Sequence, residues 1–197
     1  MKVEVFGHLT IKGNGQIWDK FPTTMCRDVM AFLVLAPVGP LPRRYVIENI
    51  WPKAEPEKCS NRMSVTLSLL RRYLGASFAE VVKVDGPSLH LEASVENQFR
   101  QFWDCVRRFR CGAADKTEAA REILTMHRAP LLVEVRTIWA ELSRREAHEA
   151  AIQALFWIAD ETGSPTLKAR AMAGCLEGFN LARAEGFEPP TPSSEDC

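Results

Sequence analysis

Between Ser60 and Gly75 the chain reads SNRMSVTLSLLRRYLG, and this stretch limits the possible folds more than any other. Met63, Leu67, Leu70 and Leu74 recur at i, i+4, i+7 and i+11, one face of an α-helix, and Gly75 supplies a stop. The other side carries Asn61, Arg62, Val65, Ser68, Leu69 and Arg72, with no acid between Glu57 and Glu80. A solvated helix face ordinarily mixes both signs of charge. Such a helix therefore needs a core on one side and suits an acceptor-rich surface on the other.

The flanking sequence narrows the choice. Residues 2–18 alternate, with Val3, Val5, Leu9, Ile11 and Ile17 in strand-like period and Gly13-Asn14-Gly15 as turn chemistry. Pro22-Thr23-Thr24 opens a helix to about Ala36, in which Val29, Phe32, Leu33 and Leu35 are apolar. Pro37, Gly39, Pro40 and Pro42 break it. A short second helix is predicted over 43–51, with Val46, Ile47 and Ile50 inward, followed by a loop WPKAEP. After the third helix, VVKV and PSLHL flank Asp85-Gly86, a strong hairpin signal. The order is small sheet, three helices, terminal hairpin, an arrangement in which the third helix enters a DNA major groove.

From about residue 95 nearly everything reads as helix. VENQFRQFWDCVRRFRC (95–111) sets Phe99, Phe102, Trp103, Val106 and Phe109 mostly on one side, and further helices fit 115–127, 138–161 and 166–184. The last two form a tetratricopeptide-like hairpin with small residues at the contact. The tail over 185–197, rich in Pro and Ser, is predicted to be unstructured. The fold class expected is mainly α with small β elements: a winged helix over 1–91, then an all-helical domain over 92–184.

Charge supports this division. The net charge is zero, yet residues 1–91 hold 12 Lys+Arg against 8 Asp+Glu, and residues 92–197 hold 13 against 17. A basic first half suits a polyanion. The greasiest run, 29–41, is too short to span a bilayer and contains prolines, so no membrane role is expected. No export signal is read at the start, and the six cysteines show no metal-ligand spacing. They are expected to be reduced thiols in the cytoplasm. His8, His90, His127 and His148 stand far apart in sequence, with no partner at triad or ligand spacing. Neither an enzyme nor a cofactor is therefore expected.

FPTTMCRDVMAFLVLAP, RRYVIENIWP and EKCSNRMSVTLSLLRRYLG together resemble the N-terminal winged-helix domain of SARP-type bacterial transcriptional regulators, itself similar to the DNA-binding domain of OmpR-type response regulators. The most specific features are Trp51-Pro52, Asn61, Ser68 and the ending Leu70-Arg71-Arg72…Leu74-Gly75. VENQF, HRAPLL and Trp139 resemble the bacterial transcriptional activator domain that follows in that family, in a shortened form. The resemblance implies a DNA-binding transcription regulator, an activator of paired promoter sites that helps RNA polymerase bind, with a dimer as the working form.

Base reading needs bidentate or apolar side chains, and positioning needs phosphate donors. Asn61 suits adenine, Arg62 and Arg72 suit guanine, and Val65 or the Thr66 methyl suits a thymine methyl. Ser68 and Leu69 complete the face, and Arg71 flanks it. Lys83, Ser88 and His90 of the hairpin, and Arg43 and Arg44 of the second helix, are expected at phosphate or minor groove. Met25 and Cys26, where relatives carry cations, and Leu69, where they often carry Arg, favour a second reading: an interaction adaptor whose winged helix no longer reads DNA.

Overall fold

The alternation near the N-terminus resolves into three strands, β1 (Lys2–Glu4), β2 (Thr10–Gly13) and β3 (Gln16–Trp18). In this computed structural model, described over residues 1–52, 56–112 and 115–184, Asn14 and Gly15 form the two-residue β2–β3 turn. Both take positive φ (50° and 71°), as the right-handed twist of a tight hairpin requires. Val3, Val5, Leu9 and Ile11 are fully buried. Ile17 is not: the register pairs Ile11 with Trp18, so Trp18 faces the core and Ile17 stands 65% exposed.

Helix α1 (Thr24–Leu35) starts where Thr23 Oγ1 accepts from the Cys26 amide at 3.1 Å. Replacing Thr23 by Ala leaves that amide without its cap. The expected cost is about 1 kcal/mol in urea unfolding. A short strand β4 (Leu41–Pro42) leads into α2 (Arg43–Ile50), in which Val46 is buried. Helix α3 (Pro56–Leu74) buries Met63, Leu67, Leu70 and Leu74 against α1 and α2. Gly75, at φ 59°, ends it, and a single turn α4 (Phe78–Val81) precedes the hairpin.

That hairpin is β5 (Val82–Asp85) and β6 (Ser88–Leu91), with Asp85 opposite Ser88 and the turn at Gly86-Pro87. Strand β4 pairs with β6 on the other side, giving the order β4-β6-β5. A further strand, β7 (Glu96–Asn97), lies parallel to β1 and completes the first sheet as β3-β2-β1-β7. Buried Asn97 then joins two helices. Its Nδ2 donates to the Val34 carbonyl (2.8 Å), and its Oδ1 caps α5 (Gln98–Arg110) through the Phe99 amide (2.9 Å).

Helices α6 (Lys116–Met126), α7 (Ile138–Thr162) and α8 (Pro165–Ala184) follow. Gly163 caps α7 in the left-handed region, at φ 62°. Helices α5, α6 and α7 share a second core around Phe102, Ile123 and the alanines 147, 150, 151 and 154. The first core draws Leu131, Leu132, Val135 and Ala140 from the second half of the chain. Phe6 packs against both cores. Part of the WPKAEP loop, residues 53–55, and the tail over 185–197 lie outside the described residues.

The segment between α6 and α7 docks on the N-terminal sheet as though it were a strand. The Gly7 amide donates to the Pro130 carbonyl (2.9 Å), Leu132 to Val5 (2.8 Å) and Val133 to Gly7 (3.0 Å). Glu134 accepts from the Leu9 amide at 3.1 Å and pairs with His8.

Candidate nucleic-acid interface

The buried stripe of α3 leaves its opposite edge in solvent. Asn61, Arg62, Val65, Ser68 and Arg72 are exposed, Val65 at 59%. Among the described residues, the principal neighbours of α3 are α1, α2, the 3-10 turn at Gly75–Ser77 and α4. Arg62 and Arg72 form no ion pair among the described residues. Arg71 is exposed as well, and its guanidinium lies 5.0 Å from the centre of the Phe78 ring, a cation–π contact that orients it beside the edge.

Two expected members are elsewhere. Thr66 is 5% exposed. Its hydroxyl donates to the Arg62 carbonyl (2.8 Å), and the Cys26 thiol meets its carbonyl (3.8 Å). Its position explains this: three residues after Met63 and four before Leu70, it shares their face. A thymine contact from Thr66 is thus corrected to a role in packing α3 against α1. Leu69 is half-buried against the first core, so its apolar side chain serves that core in part.

Arg43 ties the remaining parts together. Its backbone amide donates to the Pro87 carbonyl in the hairpin turn (2.7 Å), and its Nη2 reaches Ser64 Oγ on α3 (2.9 Å). One residue thereby holds the start of α2, the hairpin turn and the outer edge of α3 in register. Ser64 is not among the residues expected in the interface, although it lies one turn from Asn61 and Ser68 and next to Val65. That spacing was the available signal. Arg44 is exposed and bonded to Glu48 (2.7 Å), and Lys83 pairs with Glu92 (3.4 Å). The first pair is exposed on both sides and the second on its lysine side, so water and salt screen them and an anion can compete. Ser88 and His90 are half-buried on β6. The Nδ1 atom of His90 is buried without a partner among the described residues. Beside these groups a groove of about 720 Å³ runs between Arg43, Arg44, Ile47, Trp51, Ser60 and Pro87.

Among the described residues the edge thus offers amide, hydroxyl and guanidinium donors, one exposed valine and no carboxylate. Arg62 and Arg72 are two turns or more apart along it. This is a surface for a regular array of acceptors.

The architecture is a three-helix winged unit joined to a helical module, mainly helical with small β elements. No protein-family model and no curated protein matches the chain. Among solved structures, EmbR of Mycobacterium tuberculosis in complex with a low-affinity phosphopeptide is similar, with a TM-score of 0.56 and 19% identity over 95% of this chain. The chain spans 61% of the length of that structure's chain. The likeness is one of fold. Among the described residues, no helix is long and apolar enough to cross a membrane.

Proposed function

We propose that the protein is a sequence-specific, double-stranded DNA-binding transcription regulator, and not an enzyme. Residues 1–91 act as the reading unit, and residues 92–184 as the helical module for self-association or partner contact. Helix α3 enters the major groove with Asn61, Arg62, Val65, Ser68 and Arg72. Arg71, Arg43, Arg44, Lys83, Ser88 and His90 serve the flanking backbone. The observation that carries this reading is the exposed, acid-free edge of α3, held in register with the hairpin turn by Arg43. The SARP-like fold supports it. On the same reading the protein works in the cytoplasm as a dimer on paired sites and helps RNA polymerase bind.

The test is selection from a pool of random duplexes. A defined motif is expected. Arg62→Ala should relax preference at one base pair by about 1–3 kcal/mol, roughly 5- to 150-fold. Arg44→Ala should weaken all duplexes alike and reduce the salt slope by about one. If no motif emerges and both variants bind as the parent does, the winged helix is instead a docking platform of an adaptor.

A further inference from the structure

We propose that His127 is a proton-sensitive latch holding the helical module on the N-terminal sheet. The inference is independent of what α3 binds. His127 caps the C-terminus of α6, its amide donating to the Ile123 carbonyl (2.9 Å), and it immediately precedes the segment that pairs with residues 5–9. Its ring lies 5.5 Å from that of Phe6 on the sheet side and 6.3 Å from Phe102 on α5, and these two phenyl rings are 4.9 Å apart. On α7, His148 stands 5.7 Å away, its Nε2 bonded to the Gly174 carbonyl of α8 (3.2 Å). The Nε2 atom of His127 is buried with no partner among the described residues. A proton added there meets two phenyl rings and a second imidazole.

The other charged groups at this seam do not offset that proton. Arg144, one turn before His148, is a cation held by the carbonyls of Leu131, Leu132 and Val135 and by Glu141. Among the described residues of α8, the cluster meets the Gly174 carbonyl, at His148. The carboxylate of Glu134 is engaged by His8 and the Leu9 amide.

Burial, and next the neighbouring His148, hold the His127 imidazole below its ordinary range. A histidine lowered in the folded state leaves stability intact above its unfolded value, about 6.5. Stability is then lost as pH falls from there through the folded value. The phenyl–imidazole seam should therefore open in mild acid while the two cores persist.

Hydrogen exchange of the full chain at pH 7.5 and 5.5, corrected for intrinsic rate, tests this. The amides of residues 5–9 and 131–135 should lose protection at the lower pH by up to about tenfold, the change that about 1.4 kcal/mol brings. His127→Phe should abolish the loss, and His8→Gln should leave it in place. Unchanged protection in the parent, or the same loss in His127→Phe, overturns the latch. If His127→Phe does not fold, the parent's imidazole proton resonances decide. A His127 signal that titrates together with the loss of protection supports the latch; titration without that loss refutes it.

Discussion

Leu70→Ala is expected to destabilise the protein by about 2–5 kcal/mol, the range for emptying a buried leucine site. Leu70 is fully buried at the centre of the α3 stripe, with Met63 and Leu67 before it and Leu74 after it. The rigid helices and sheet around the site collapse only partly into the space, so a cavity term adds to the lost transfer energy. A domain of this kind holds roughly 5–15 kcal/mol in total, so the loss removes a large share. Ser68→Ala, on the outer edge two residues away, should stay within about 0.5 kcal/mol. Urea unfolding of the two variants checks the contrast. Equal, small effects would mean that α3 does not bury the face described.

Arg144→Met is the second large effect. The Arg144 side chain is 19% exposed, and its guanidinium donates to three carbonyls: Leu131 (2.8 Å), Leu132 (2.7 Å) and Val135 (3.1 Å). These carbonyls belong to a segment that bends sharply, with Leu132 at φ 46°, before its amides pair with residues 5 and 7. Methionine keeps the aliphatic volume and removes all the donors, so partly buried carbonyls lose their partners. The expected loss is about 3 kcal/mol, within the range for deleting a charged donor from a buried network. Arg144→Lys should recover little of it, because one ammonium cannot reproduce a planar fork on three acceptors. Unfolding by urea, with exchange at Leu132 and Val133 as the local readout, checks this. Parent-like stability and protection in Arg144→Met would show that the segment docks without the clamp.

What could be read beforehand was local. A stripe at 63, 67, 70 and 74 needs only helical periodicity, and the hairpin at Asp85-Gly86 needs only turn chemistry, so α3 and β5–β6 stand where expected. Thr66 was given a thymine contact on the strength of its methyl group, whereas its spacing from Met63 and Leu70 puts it inside. Ile17 and Trp18 exchanged roles because the two-residue turn, not hydrophobicity, set the register.

The rest is long-range. Nothing local in Pro130–Glu134 announces pairing with residues 5–9, more than 120 positions away, or a clamp from Arg144 on the next helix. His127 and His148 are 21 residues apart on different helices, and only the packing of α6 against α7 brings their rings together. The link from Arg43 to Ser64 and Pro87 likewise arises from three elements meeting.

The central claim is that the α3 edge around Val65 faces the bases of a duplex, and a photoreactive side chain at position 65 tests it most directly. With a random-sequence duplex pool at low salt, irradiation should join this side chain to bases through the major groove. The same group at position 79, which is exposed on α4, should give little adduct. Adducts that form only within the protein or with a second protein, or duplex adducts no more abundant from position 65 than from 79, would contradict the account.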